Sequence, residues 1–249
     1  MRDGLQSKPG AGSSFQSVVN RLKWSIRQRR FARLGLTEES LLSKQELGSG
    51  SGSWTVHTER LGPSSTVYSF GVGTDVSFDV ALIEQRGATV HAFDPTPRSI
   101  DWVGRQRLPE GLVFHDFGVA SHDGNATFFP SRRVASAHYA PIRRYRGPAD
   151  ETVEGRVYRL RTIASMLGHD VIDLLKMDIE GGEYDVIDDV IAFRPVISQI
   201  AIEFHHAYET IPFERTVEAL EKLRRAGYRI LHITDRTYEI TLVHESFEP

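Results

Sequence analysis

Two apolar runs in this chain end in acids. Leu174-Leu-Lys-Met-Asp-Ile-Glu-Gly-Gly-Glu183 carries Asp178 and Glu180 two residues apart, and in extended backbone that spacing puts both on one face. Ile200-Ala-Ile-Glu-Phe-His-His206 ends on Glu203, His205 and His206. If the two runs are neighbouring parallel strands, all of these groups meet at one sheet edge. Such a cluster can take a proton from a hydroxyl or hold Mg²⁺ or a similar hard cation, and residue type alone does not choose between base and metal. Glu183 has a complete explanation as an acid at a helix start, where the dipole favours it. Asp178 has none, because a carboxylate at an apolar strand end is costly unless paired.

A second constellation lies upstream. The run Val67-Tyr-Ser-Phe70 leads into Gly71-Val-Gly73 and then a helical pattern. Asp94-Pro95 closes the next apolar run, 23 residues after Gly71. Glycines at such a turn let backbone approach a ligand, a helix N-terminus offers free N–H groups, and an acid about 20 residues on can accept ribose hydroxyls. This combination reads as an adenosine-type site, flanked by Phe70 and Pro95. A dinucleotide site normally has a third glycine where this chain has Val76. S-adenosylmethionine has no phosphates and needs only the close backbone, the ribose carboxylate and an apolar adenine slot. Phe117-Gly118-Val119 is expected to line that slot, with Asp116 near the adenine amino group.

Elements that could position these groups alternate from Thr66 onward. Strands are expected at 67–70, 89–93, 112–117, 171–177 and 196–204, with helices at 77–86, 97–106, 183–191 and 213–226. A short strand at 126–129 in an antiparallel or edge position and a hairpin at 228–243 are also expected. This rhythm predicts a mainly parallel sheet with helices on both faces. The Arg-, Pro- and Gly-rich stretch 130–156 interrupts it, and a loop of that length in a compact domain is where an acceptor would be read. Residues 1–14 read as a disordered tail and 15–56 as a basic helical extension with a Gly/Ser linker or flap at 47–53. The main domain is then 57–249. Apolar residues from Phe15 to Leu36 recur at helical spacing among Arg21, Lys23, Arg27, Arg29, Arg30 and Arg33. The favoured reading packs one face of this helix on the domain, ahead of contact with a membrane surface.

Composition narrows the classes. The 249 residues carry a net charge of −3, which gives no general affinity for nucleic acid. No cysteine is present, so disulfides, thiolate nucleophiles and cysteine metal sites are excluded. The polar Met1–Gly12 stretch lacks a signal peptide's apolar core, and a cytoplasmic location is expected. Nothing in the sequence sets an oligomeric state.

At its chemistry-bearing residues the chain resembles the FkbM-type S-adenosylmethionine-dependent methyltransferases. Leu175-Lys-Met-Asp-Ile-Glu-Gly-Gly-Glu-Tyr-Asp-Val-Ile187 is similar to that family's Lys-x-Asp-x-Glu-Gly-x-Glu signature. Ala92-Phe-Asp-Pro95, Gly118-Val-Ala120 and Ile202-Glu-Phe-His205 are similar as well. The resemblance implies a Rossmann-like class I methyltransferase fold, an α/β domain with a mainly parallel seven-stranded sheet and an antiparallel last strand. It implies cofactor contacts at Gly71, Gly73, Asp94 and the 117–119 turn, and places Asp178, Glu180 and Glu203 near the methyl group and acceptor. O-methylation of a small molecule or sugar is the implied reaction, with Mg²⁺ as the other cofactor candidate. Ser69 and Asp75 stand where methyltransferases commonly have a strand-end acid and a third glycine, and Asp75 is assigned to the cofactor's amino group. One rival, an NAD(P)-dependent oxidoreductase, is weakened by Val76 and by the lack of Lys four residues after Tyr145 or Tyr158. The other is a non-catalytic nucleotide-binding module.

Overall fold

The computed structural model describes residues 11–130, 139–143 and 152–247. Its centre is a sheet of the strands β3 (Thr66–Phe70), β4 (Thr89–Phe93), β5 (Leu112–His115), β10 (Leu174–Met177), β11 (Gln199–Glu203), β12 (Tyr228–Ile233) and β13 (Glu239–His244). Their spatial order is β12-β13-β11-β10-β3-β4-β5. The five strands from β11 to β5 run parallel, and β13 is antiparallel to both of its neighbours. Strands covered on both faces read as continuous apolar runs, and β3, β10 and β11 are buried along nearly their whole length.

Side-chain alternation sorts the strands onto two layers. Tyr68, Phe70, Phe93, Leu175 and Met177 point into the larger core with α4 (Leu160–Leu167), α5 (Glu183–Ala192) and α6 (Phe213–Arg225). Thr216, Ala219, Leu220 and Leu223 form the buried stripe of α6 at helical spacing. Val67, Val90, Leu174 and Ala201 face the other way, onto α2 (Ser77–Arg86). Gly87 ends α2 in the left-handed region, its N–H returning to Ile83. α3 (Pro97–Val103) covers the same face further along.

The N-terminal region differs from its expected layout. α1 spans Ala11–Arg33, so the helix starts inside the stretch expected to be disordered, and residues 1–10 lie outside the described residues. Phe31 and Leu36 enter the larger core, Arg27 donates to the Tyr238 hydroxyl at 2.6 Å, and Arg30 pairs with Glu214. Among the described residues, no helix is long and apolar enough to cross a membrane. The Gly/Ser tract is the turn of a hairpin, β1 (Gln45–Leu47) and β2 (Trp54–Val56), which packs Leu47, Trp54 and Val56 against α2 and the sheet.

A second sheet, ordered β6-β9-β7-β8, branches off after β5. It comprises β6 (Gly118–Val119), β7 (Gly124–Pro130), β8 (Tyr139–Ala140) and β9 (Val153–Tyr158). The stretch expected as a loop at 130–156 thus contributes strands, and its parts 131–138 and 144–151 fall outside the described residues.

On the larger core's face, three histidines share hydrogen bonds and ring contacts. His91 Nδ1 meets His115 Nε2 at 3.0 Å, the rings stack, and His169 lies edge-on to His91 and bonds the Tyr68 hydroxyl at 2.9 Å. Burial, reinforced by the neighbouring imidazoles, pushes His91 down to about 4, and His115 and His169 are lowered by burial too. An unfolded histidine binds its proton near pH 6.5, above the folded value, so the His91 contribution is complete above pH 6.5 and is lost as pH falls toward 4. For a half-buried, screened group this amounts to about 1–2 kcal/mol. Urea unfolding at pH 7 and pH 5 is expected to show that loss in the wild type and a correspondingly smaller one in His91→Phe. An equal loss in both would show that this cluster does not set the acid sensitivity.

Candidate active site

Where β10 ends, the chain turns through Asp178-Ile-Glu-Gly-Gly182 into α5. Glu183, the first residue of that helix, is fully buried and accepts the Ile179 N–H with one oxygen and the Gly181 N–H with the other, each at 2.9 Å. Its Oε1 also bonds His205 Nδ1 at 2.9 Å. The acid read as a helix-dipole residue is therefore the fastener between the β10 loop and the end of β11. Glu180 adopts a positive φ of 56°, uncommon for a residue with a side chain. Its carboxylate receives the Tyr208 hydroxyl. Gly181, at φ 102°, is in a conformation that favours glycine and packs against Ile142, whose Cδ1 would lie 2.5 Å from a Cβ there. Residues 139–143 of the second sheet region are thereby pressed onto the acidic loop.

His205 Nε2 faces Asp178 at 3.6 Å and Glu180 at 3.4 Å. Burial opposes its charge, but the carboxylates of Glu183, Glu180 and Asp178 outweigh that and raise it to about 10. At neutral pH it is an imidazolium. Burial raises Asp178 as well, against the pull of Lys176 and His205. Glu203 is pushed up to about 8 by burial and then by the Asp178 charge, with Glu239 adding from the paired position on β13. One ligand atom each from Asp178, Glu203 and His205 lies within 4.8 Å of the others, close enough to surround a cation. His206 points elsewhere, bonding Thr216 at 3.1 Å and packing on Phe213 and Tyr238.

The glycine turn lies directly beside this cluster. Gly71 has φ 83°, and a Cβ there would sit 1.7 Å from the Asp178 carbonyl oxygen, so only glycine fits. The Asp178 N–H in turn donates to Phe70 at 3.1 Å. Gly73 N–H donates to Asp94 Oδ2 at 2.9 Å, and the Thr96 N–H and hydroxyl hold Asp94 Oδ1 at 2.9 and 2.6 Å. Gly118 packs tightly on Pro95, where a Cβ would approach Cγ to 3.1 Å.

A cavity of about 1030 Å³ unites the two halves. Phe70, Gly71, Gly73, Asp75, Asp94, Pro95 and Gly118 line one part, and Asp178, Glu180, Glu203 and His205 another. Two expected contacts lie outside its lining. Asp116 is exposed and held by Arg156 through two bonds of 2.8 and 2.9 Å, and Phe117 is buried among Phe93, His115 and Tyr158. Backbone turning just past β5 sends one into solvent and the other into the core, leaving Gly118 and Val119 to face the cavity. Lining residues that the sequence reading did not single out include Asp79, Tyr208 and Glu239; the Gly/Ser tract read as a linker or flap lines the cavity through residues 50–54, as does Lys176 of the signature run. The available sign of Asp79 was its place four residues after Asp75, at the start of a helix whose Phe78 and Leu82 are core residues.

Sequence comparison supplies an independent line. The chain is 26% identical to methyltransferase-like protein 24 of Rattus norvegicus and 24% identical to that of Homo sapiens, each over 176 residues. Those matches span 67% of this chain and 42% of each relative, so the matched region covers less than half of the relatives' length. Among solved structures, a chain of a fibrillarin/Nop5p complex superposes at a TM-score of 0.44 with 10% identity, covering 74% of both chains. The methyltransferase FkbM domain matches residues 66–230, well over half of the 249 residues and a span that holds the glycine turn, Asp94 and the whole acidic cluster. The chain belongs to the FkbM methyltransferase family.

Proposed function

We propose that this protein transfers the methyl group of S-adenosylmethionine to a hydroxyl of a small molecule or sugar. The observation that carries the reading is the single cavity in which a glycine–Asp94 cradle and an acid–imidazolium cluster share a backbone contact at Gly71 and Asp178. The cradle suits the cofactor's adenosine. A Cβ on Gly73 would meet nothing within 4 Å, so the backbone there is open to a ligand, and Asp94 is already oriented by three donors. The volume is at the top of the roughly 300–1,000 Å³ range of ordinary ligand pockets, which leaves space for a small acceptor beside the cofactor.

When bound, S-adenosylmethionine supplies an electrophilic methyl on a cationic sulfur. The protein's part is to hold an acceptor oxygen in line with it and to receive that oxygen's proton, with positioning as the larger effect. Asp178 is raised by burial and by the charges of Glu180 and Glu183, and Glu203 by burial and by the Asp178 charge; the two carboxylates lie close together and together provide the base that accepts the hydroxyl proton. His205 stays charged and offsets the carboxylates around it. Mg²⁺ prefers an all-oxygen octahedral shell. This donor set includes the ring nitrogen of His205, so the cluster suits proton transfer better than Mg²⁺ binding.

Titration calorimetry is expected to show micromolar binding of S-adenosylmethionine and S-adenosylhomocysteine, and none of NADH. Asp178→Asn should retain that binding and lower turnover of a hydroxyl acceptor by roughly 10²–10⁴-fold, with or without Mg²⁺. Near-wild-type turnover would remove Asp178 from the chemistry, and absence of cofactor binding would overturn the whole reading. A second expectation concerns pH. A base must be ionised to work, so kcat/KM should rise between pH 7 and 9 with a midpoint near 8, the value to which Glu203 is raised. Glu203→Gln should lose that limb, and a flat wild-type profile would contradict the assignment.

A further inference from the structure

The acidic helix start opposite the catalytic cluster has no role in the mechanism above. Asp79 lies in the first turn of α2, is 3% exposed and lines the cavity. Its Oδ1 is buried and has no hydrogen-bond partner among the described residues. A favourable helix dipole explains an acid at this position but not its removal from water, which costs free energy unless a partner is supplied.

Its surroundings show what sort of partner is missing. Ser69 and Lys176 are paired across β3 and β10, and their side chains project from the α2 face of the sheet. Ser69 is small, uncharged and fully buried; its hydroxyl makes no well-aligned bond among the described residues, yet lies close enough to Asp79 to favour the charged carboxylate, leaving Asp79 Oδ1 without a partner. The space beside it is shared by Lys176 and Asp79. Lys176 is committed to backbone, donating to the carbonyls of Phe70 at 3.2 Å and Gly71 at 2.9 Å, and its ammonium lies 5.3 Å from the Trp54 ring centre. Asp75 adds a second carboxylate, which also lines the cavity and whose charge acts on Asp79. Two acids therefore face one lysine, and the local balance is negative. Burial holds Asp79 up at about 6 despite the pull of Lys176 and of the Ser69 hydroxyl, so these groups compensate the carboxylate only in part.

Position identifies the ligand group. β3 stands between β4, whose end carries Asp94, and β10, whose end carries Asp178. An adenosyl ligand with its ribose at Asp94 must extend across the Gly71 turn to bring its sulfur near Asp178. On the α2 side of that turn the cavity is lined by Asp75, Asp79 and, as a roof, the 50–54 turn of the β1–β2 hairpin, and this is the part left open to the amino-acid end of such a ligand. Gly52 of that roof lies so close to Asp75 that a Cβ would be 2.4 Å from Oδ2.

We propose that Asp79 binds the α-ammonium group of the cofactor's amino-acid end, supplying from α2 the carboxylate that Ser69 does not provide on the strand. This rests on the S-adenosylmethionine reading and goes beyond it by assigning the residue that distinguishes the amino acid from the nucleoside. Asp75 is thereby a neighbour at the cavity rim and not the direct partner, since its Oδ1 already accepts the Ser77 N–H at 2.8 Å and its side chain is exposed.

The test is calorimetry with S-adenosylhomocysteine and with its analogue lacking the α-amino group, on the wild type and on Asp79→Asn. The wild type should bind S-adenosylhomocysteine roughly 10- to 100-fold more tightly than the deamino analogue, the range for a lost hydrogen bond to a charged group. Asp79→Asn should weaken S-adenosylhomocysteine by a similar factor and leave the analogue within about threefold, the specificity expected of a direct contact. Equal weakening of both ligands would assign Asp79 a structural role and overturn the proposal. Wild-type protein that fails to discriminate the two would overturn it without any variant, even if Asp79→Asn failed to fold. Wild-type protein that binds neither would instead overturn the cofactor reading, and this assignment with it.

Discussion

The carboxylate of Glu183 is the constraint on which the rest of the site depends. It is removed from water, yet it accepts two backbone N–H groups and an imidazolium hydrogen, so each of its oxygens is engaged. Breaking a buried ion pair by removing one partner typically costs about 3–5 kcal/mol, because the other charge is left behind. Here the loss would also free the two amides that hold the 178–182 turn. The start of α5, the path of that turn and the orientation of the His205 ring are thus one cooperative unit. Asp178 and Glu203 take their charge environment from it.

A second rigid contact ties this unit to the glycine turn. Gly71 touches the Asp178 carbonyl, and the Asp178 N–H returns to Phe70, so the ends of β3 and β10 cannot separate without losing sheet hydrogen bonds. The left-handed backbone of Glu180 belongs to the same arrangement. A side-chain-bearing residue in that conformation costs on the order of 1 kcal/mol, and it persists only where its surroundings fix it. Tyr208 on one side and the 139–143 segment pressed on Gly181 provide that fixing. The second sheet therefore does more than wall the cavity, since it presses on the loop that carries the acids.

Much of this was legible in local sequence because the signals are local. A glycine that must avoid a neighbouring carbonyl, an acid that ends an apolar strand and a glycine that stops a helix each declare themselves within a few residues. Asp116 and Phe117 did not, because their directions depend on Arg156, forty residues away, and on the aromatic packing of Phe93, His115 and Tyr158. The Gly/Ser tract has the composition of a linker, and its structure as a hairpin turn depends on Leu47, Trp54 and Val56 finding the α2 face. Asp79 was hidden for a related reason. A polar residue in the first helical turn is ordinary in sequence, and only packing reveals that it is buried.

Charge balance gives the site a preference between the two forms of its proposed ligand. Lys176 acts on Asp79 and on Asp178, so one buried cation sits between two acidic groups and satisfies neither fully. His205 faces three carboxylates, only one of which Lys176 also draws on. A ligand carrying a positive sulfur enters a cavity whose electrostatic deficit it reduces, and in a site shielded from water that gain is larger than it would be in bulk solvent. Loss of the methyl leaves the sulfur neutral and removes that part of the attraction, while the proposed contacts to ribose and ammonium would be unchanged. On the proposed reading, the acids that would take the acceptor's proton also favour the charged cofactor over its spent form, so the excess of carboxylate would serve binding as well as catalysis.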